Sequence, residues 1–335
     1  MRRAKANGGG ADAYARGMEL RALGPSGLRV TAVGLGCNNL GRPGTLTETQ
    51  DGATEVVIAA LDAGVTFFDT ADIYGAEYGL SETLLGAALR VRRDEAVIAT
   101  KFGHQDYPSP LAEVGARGGR AYIRAAVEGS LTRLGTDHID LYQLHTPDPA
   151  TPIEETLAAL DELVVEGKVR AIGHSNLDGD AIRAADDAAD AAGLHSFVSA
   201  QNEYSLLARA VEGDVLPAVR ERGLGFLPFF PLANGLFTGK FGRTERPADT
   251  RISRQRPHVA EQAPWDAIEA FEQFAAARGI GLLEATFGWF LAKPELSSVI
   301  AGATRPEQVR ANAAAGSAWR PDADEVAAID ALFPA

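Results

Sequence analysis

Thr66-Phe67-Phe68-Asp69, Val97-Ile98-Ala99-Thr100-Lys101 and Leu141-Tyr142-Gln143-Leu144-His145 share one design: a short apolar run that ends on a titratable side chain. Such runs, bounded by breaks, read as fully buried strands. Working outward, eight occur, at residues 32–36, 66–69, 96–101, 139–145, 169–174, 197–201, 225–229 and 298–301. Helical patterns lie between them, near residues 49–63, 80–91, 120–134, 153–166, 179–192, 212–222, 265–277, 282–292 and 306–315. In the fourth of these, Ile153, Leu157, Leu160 and Val164 recur at helical spacing behind Pro152, an N-terminal signal. Strands alternating with helices pair in parallel through right-handed crossovers. Eight such units without a linker predict an α/β chain closed as a (β/α)8 TIM barrel. Gly24-Pro25-Ser26-Gly27 predicts an N-terminal β-hairpin, and residues 324–332 an extra C-terminal helix. Residues 232–263 show little periodicity and are expected to form an irregular loop on the active-site rim.

The chain has 335 residues, 46% of them hydrophobic, which is enough for a large core. By length alone about two domains are allowed, but the unbroken alternation reads as one domain over residues 18–335. Residues 1–17 hold Arg2, Arg3, Lys5 and Arg16 against Asp12, around Gly8-Gly9-Gly10. A transit peptide would share that basic, acid-poor character. A disordered extension, with Met18 as the natural first residue, accounts for it more simply. The net charge is −13 overall, and −16 from residue 18 onward. That balance disfavours nucleic acid as a partner. No apolar run approaches the ~18 residues of a membrane span. The single cysteine, Cys37, excludes an intrachain disulfide framework and fits a cytoplasmic setting.

Two nucleotide motifs fail on inspection. Gly34-Leu35-Gly36-Cys37-Asn38-Asn39 lacks the third glycine of a dinucleotide fingerprint. Gly235 to Lys240 is one residue short of a phosphate loop, and Phe241 stands where that loop needs Ser or Thr. No two of the six histidines sit three or four apart, so no local metal site is read. What holds is the set of strand-end residues. One such residue reads as a snorkelling charge or a cap; three on consecutive strands point to the active-site end of a barrel. Phe67, Ala99 and Gln143 share their parity and should face inward. Lys101 beside Asp69 would form a buried ion pair and stabilise the phenolate of Tyr74, lowering its pKa. Tyr74 could then pass a proton to a carbonyl oxygen that His145 orients. None of these groups supplies hydride, so a cofactor must.

At this point the residues resemble a family. Phe68-Asp69-Thr70-Ala71-Asp72-Ile73-Tyr74-Gly75, Ala99-Thr100-Lys101-Phe102-Gly103, Asp140-Leu141-Tyr142-Gln143-Leu144-His145, Gly173-His174-Ser175-Asn176 and Gln201-Asn202-Glu203-Tyr204-Ser205 are similar, in order, to the aldo-keto reductases. So are Gly235-Leu236-Phe237-Thr238-Gly239-Lys240 and Ala301-Gly302-Ala303-Thr304-Arg305-Pro306-Glu307-Gln308. The resemblance implies a metal-independent oxidoreductase that moves hydride between NADP(H) and a carbonyl or alcohol. The implied catalytic set is Asp69, Tyr74, Lys101 and His145. Ser175, Asn176 and Gln201 would hold the nicotinamide carboxamide, with Gly36, Cys37, Asn38 and Phe229 near the ring. Leu232 and Gly235 would cover the pyrophosphate. Gly302, Thr304, Arg305, Gln308 and Asn312 would take the adenosine phosphate end, where Arg305 favours NADP over NAD. The pair Phe229-Phe230 departs from the family's usual Tyr-Ser; Phe230 reads as core, and His174 as packing. The expected partner is a small carbonyl or alcohol, with the chain a monomer or weak homo-oligomer. A non-catalytic NADPH-binding regulator on the same fold, and a Schiff-base aldolase using Lys101, are the alternatives; the intact set counts against the first.

Overall fold

In a computed structural model, residues 17–248 and 250–335 are described; the reading of the N-terminal extension lies outside them. Two short strands open the chain, β1 (Leu20–Ala22) and β2 (Arg29–Thr31), paired antiparallel. Eight parallel strands follow: β3 (Val33–Gly36), β4 (Phe67–Asp69), β5 (Val97–Phe102), β6 (Ile139–Leu144), β7 (Val169–Ser175), β8 (Ser199–Glu203), β9 (Gly225–Phe229) and β10 (Val299–Gly302). Their order is β10-β3-β4-β5-β6-β7-β8-β9. The remaining seam closes at Phe226, whose N–H donates to Glu295 O at 2.9 Å and whose carbonyl accepts from Ser297 N at 2.9 Å. The sheet is therefore a closed (β/α)8 TIM barrel, as the alternation predicts.

Alternation along each strand sends one parity inward. Phe67, Val97, Ala99, Leu141, Ala171, Leu227 and Ile300 form a separate apolar cluster in the barrel interior. The opposite parity, such as Phe68, Ile98, Tyr142 and Ile172, joins the outer core under the helices. The hairpin plugs the barrel floor: Leu23 and Val30 are fully buried in the interior cluster. Burying such side chains contributes about 1.5–3 kcal/mol each. Gly24, at φ +52°, lies so near β8 that a Cβ there would come within 2.2 Å of Val198 O.

The helices follow the periodic stretches, with two clear differences at their ends and one within the rim loop. The expected helix at 212–222 begins at Val215, because the Asp214 carboxylate accepts from Val215 N and Ala210–Glu212 forms its own tight turn. The helix expected to end at 315 runs on as Pro306–Ala318. Residues 232–263 are not wholly irregular. They hold a tight turn, Ala233–Thr238, and two five-residue helices, Arg251–Gln255 and Pro257–Glu261. Helices that short cannot display a period; Thr250 caps the first by accepting from Ser253 N, and Pro257 starts the second. The last helix, Ala323–Leu332, carries a capping box between Asp322 and Glu325. It is fastened by Trp289 Nε1 donating to Asp330 Oδ1 at 2.9 Å. Among the described residues, no helix is long and apolar enough to cross a membrane.

Candidate active site

The residues that end β4, β5 and β6 meet at one mouth of the barrel. Register places Asp69 opposite Ala99 and Lys101 opposite Gln143, so the inward parity of the interior cluster continues into polar groups. Lys101 is fully buried. Its Nζ donates to Asp69 Oδ2 at 2.7 Å, to Thr70 O at 3.0 Å and to Tyr74 Oη at 3.5 Å. Asp69 Oδ1 accepts from Gln201 Nε2 at 2.9 Å and from Gln143 Nε2 at 3.3 Å. A buried ion pair is tolerable only when its remaining hydrogen-bonding capacity is met in this way.

The electrostatics differ from expectation in one respect. Burial raises the Tyr74 pKa more than the Lys101 cation lowers it, with Asp69 adding to the rise, so the net shift is upward. Tyr74 is thus held as a neutral phenol, with Lys101 offsetting part of the cost of ionising it. For Lys101 itself burial is the largest influence and acts downward, but Asp69 and Tyr74 outweigh it and the pKa ends above the ordinary lysine value. Burial first, then Lys101 and His104, push His145 well below the ordinary histidine range. Its neutral ring stands edge-on to Tyr74, centroids 5.9 Å apart, and edge-on to His104 at 4.6 Å. His145 Nδ1 is buried without a protein partner, so no protein group fixes its tautomer.

Asp69, Tyr74 and His145 open onto a cavity of about 620 Å³, while Lys101 lies behind its wall. Gly36, Asn38, Ser175, Asn176, Gln201 and Phe229 line the same cavity. Asn176, at φ +62°, donates from Nδ2 to His145 O at 2.9 Å and to Ser175 Oγ at 3.0 Å. Ser175 Oγ in turn donates to Gln201 O at 2.8 Å, tying the ends of β7 and β8 together. Leu232, Gly235, Gly302, Thr304, Gln308 and Asn312 line it as well. There Gln308 Oε1 accepts from Thr304 N at 2.7 Å. A Cβ on Gly302 would stand 2.9 Å from Asn39 Nδ2, a side-chain end that would have to shift.

Two of the residues expected at the cofactor are not on this wall. Cys37 is buried behind it, its thiol facing Leu35 O at 3.5 Å, and burial pushes its pKa up. Its place just after β3 turns it into the core instead. Arg305 is exposed at the N-cap of Pro306–Ala318 and is outside the cavity lining. Phe230, read as core, instead lines the cavity at φ +54°. His174 is packing, as read: both ring nitrogens are buried without partners, and burial pushes its pKa down to about 3. The sequence reading missed the cationic side of the cavity. Arg42, Lys240, Arg251, Arg254 and Arg256 all line it, and four of the five come from the stretch whose lack of period hid its structure. Among the described residues, no group of three or more metal-ligating side chains is present.

The profile of the Aldo/keto reductase family matches residues 32–333. The chain is 37% identical over 304 residues to an uncharacterized oxidoreductase, YrpG, of Bacillus subtilis, covering 88% of this chain and 89% of that one. It is 35% identical over 294 residues to probable aldo-keto reductase 1 of Glycine max (87% and 82% covered). It is also 32% identical over 330 residues to the L-glyceraldehyde 3-phosphate reductase of Escherichia coli O157:H7 (93% and 92% covered). With the barrel, the buried lysine–aspartate pair and the tyrosine at its mouth, these matches make the chain a member of the aldo/keto reductase family of oxidoreductases.

Proposed function

We propose that the chain interconverts an aldehyde or ketone and its alcohol with NADP(H), using Tyr74 as the proton donor in reduction and the acceptor in oxidation. The observation that carries this reading is the contact of Lys101 Nζ with both Asp69 Oδ2 and Tyr74 Oη at the cavity wall. The dinucleotide supplies hydride when bound. A carbonyl oxygen seated between Tyr74 and His145 accepts hydrogen bonds from both. As that oxygen gains charge, the Tyr74 proton moves to it, and Lys101 stabilises the phenolate left behind. Asp69 keeps Lys101 charged and in place. His145, neutral at physiological pH, orients the oxygen without competing for the proton.

Ser175, Asn176 and Gln201 are the groups for the carboxamide, since they line the wall beside Tyr74. Gln201 Nε2 is directed to Asp69 and to Gln143, which leaves its Oε1 as the acceptor toward the cavity. Phe229 offers a face for the nicotinamide. Lys240 and Arg251, which line the cavity along with Leu232 and Gly235, match the pyrophosphate charge. Gly302, Thr304, Gln308 and Asn312 take the adenosine end. Arg305, exposed just beyond, reaches a 2′-phosphate as a rim residue, which favours NADP.

The test is Tyr74→Phe, assayed across a panel of carbonyls and alcohols with both cofactors. Turnover is expected to fall at least ~10²-fold, the scale of general acid–base catalysis, while NADPH binding by fluorescence titration persists. Unchanged turnover would remove Tyr74 from the reaction. NADPH binding with no carbonyl reduced by the unmodified chain would favour the non-catalytic regulator.

A further inference from the structure

The cavity carries more positive charge than a dinucleotide pyrophosphate needs. Arg42 follows β3, and Arg251 and Arg256 follow β9, yet all three converge on one side of the chamber. The Arg251 guanidinium lies 4.9 Å from the Phe230 ring centroid and that of Arg256 lies 5.5 Å from it. Arg42 donates to Asn38 Oδ1 at 2.5 Å and to Gln255 Oε1 at 3.4 Å, both neutral acceptors. Asn38 lines the same cavity as Tyr74, so Arg42 is held on a residue of the site's own wall. Among the influences on Arg42 and Arg251, burial comes first and neighbouring arginines next, and no carboxylate is among them; Arg251 is pushed down to about 10. Tyr74, Tyr107 and His145 line the same cavity as the three arginines. Arg251 Nε is buried and unpartnered.

Clustered guanidinium groups repel one another, and burial magnifies that repulsion. In a chain of net charge −13, three arginines gathered with no neutralising acid in the described residues form a local exception that an anion would relieve. Lys240 and Arg251 already answer the pyrophosphate in the function proposed above. Arg42 and Arg256 are then the surplus.

We propose that Arg42 and Arg256 form a substrate-anion subsite, so that the carbonyl compound reduced here is short and carries a phosphate or carboxylate at the end away from the reacting carbon. This rests on the carbonyl-reduction reading of the same cavity. Planar guanidinium forks bind either anion bidentately, and Phe230 supports Arg256 from below.

The experiment needs no turnover. The NADPH-loaded protein is titrated calorimetrically with glycerol 3-phosphate and with 4-hydroxybutyrate, against glycerol and 1-butanol as neutral counterparts. These alcohols cannot react with the reduced cofactor, so binding is read alone. At least one anionic alcohol is expected to bind tenfold or more tighter than its neutral counterpart, and which one does so distinguishes phosphate from carboxylate. Arg42→Gln and Arg256→Gln should each remove most of that margin, Arg256→Lys should keep part of it, and NADPH affinity should stay within twofold. Equal binding of charged and neutral alcohols would overturn the subsite. So would a margin that survives both substitutions, or a loss of NADPH affinity as large as the loss of the alcohol's, which would return the cluster to the cofactor. If the margin is present and sensitive to both arginines but no carbonyl is reduced, the subsite stands and the catalytic reading falls.

Discussion

Removing the charge of Lys101 tests the core of the site most directly. In Lys101→Met the Asp69 carboxylate stays buried, keeps the amide donors of Gln201 and Gln143, and loses its 2.7 Å ammonium contact. One charge-assisted hydrogen bond is worth about 1.5–3 kcal/mol. Stranding a buried charge raises the loss to about 3–5 kcal/mol. Asp69→Leu should cost a similar amount, for the mirror-image reason: it strands the ammonium, which keeps only Thr70 O and Tyr74. The double variant Asp69→Leu/Lys101→Met removes both charges and should cost less than the two single losses together. A coupling of about 2 kcal/mol or more is expected, within the range of residues in direct contact. Urea unfolding of the four proteins, followed by far-ultraviolet circular dichroism, gives the cycle. Single losses under about 1 kcal/mol, or strict additivity, would show that the two side chains do not depend on each other as their geometry requires. The Tyr74 pKa, already above the ordinary tyrosine value, should rise further in Lys101→Met because only the downward influence has been removed.

Acid stability offers a second check. His174 has a folded-state pKa of about 3 against an unfolded value near 6.5, so the unfolded chain binds more protons between those limits and stability falls as pH drops through them. Each buried histidine of this kind contributes a slope of about 1.4 kcal/mol per pH unit; His174→Leu should flatten the loss between pH 6 and 4 by that amount in denaturant titrations, and an unchanged slope would contradict its burial as a neutral ring. Leu23→Ala, which hollows the plug beneath the barrel interior, should lower stability by about 2–5 kcal/mol while leaving NADPH affinity intact. A matching loss of cofactor binding would show that the floor and the mouth of the barrel are not independent.

The fold was legible because its strands carry their information locally. Phe67, Ala99 and Gln143 could be assigned to one face from parity alone, and the interior cluster follows that parity. The chemistry of Asp69, Lys101 and His145 was legible for the same reason, since each ends or directly follows a strand whose direction is fixed. Tyr74 could be placed near them but its pKa could not: the sign depends on how much burial opposes Lys101, and burial is a tertiary quantity. Cys37 sits just after β3, where a residue can turn to either side of the wall, and here its thiol turns to Leu35 O and the outer core. The arginines of residues 232–263 were invisible as a group. Five-residue helices have no period to read, and the approach of Arg42 to Arg256 joins segments over two hundred positions apart.

The pairing of β10 with β3 has a further consequence, for the order in which the chain assembles. From β3 to β9 every pairing joins consecutive strands, so each ladder closes only a short loop and can form early. The pairing of β10 with β3 is different, because Val299 must find Val33 across most of the chain. The Asp69–Lys101–Tyr74 constellation lies wholly on the early, local side. Its backbone frame needs only local pairings, whereas the part of the cavity wall built on β10 and the helix after it waits for the final strand to dock.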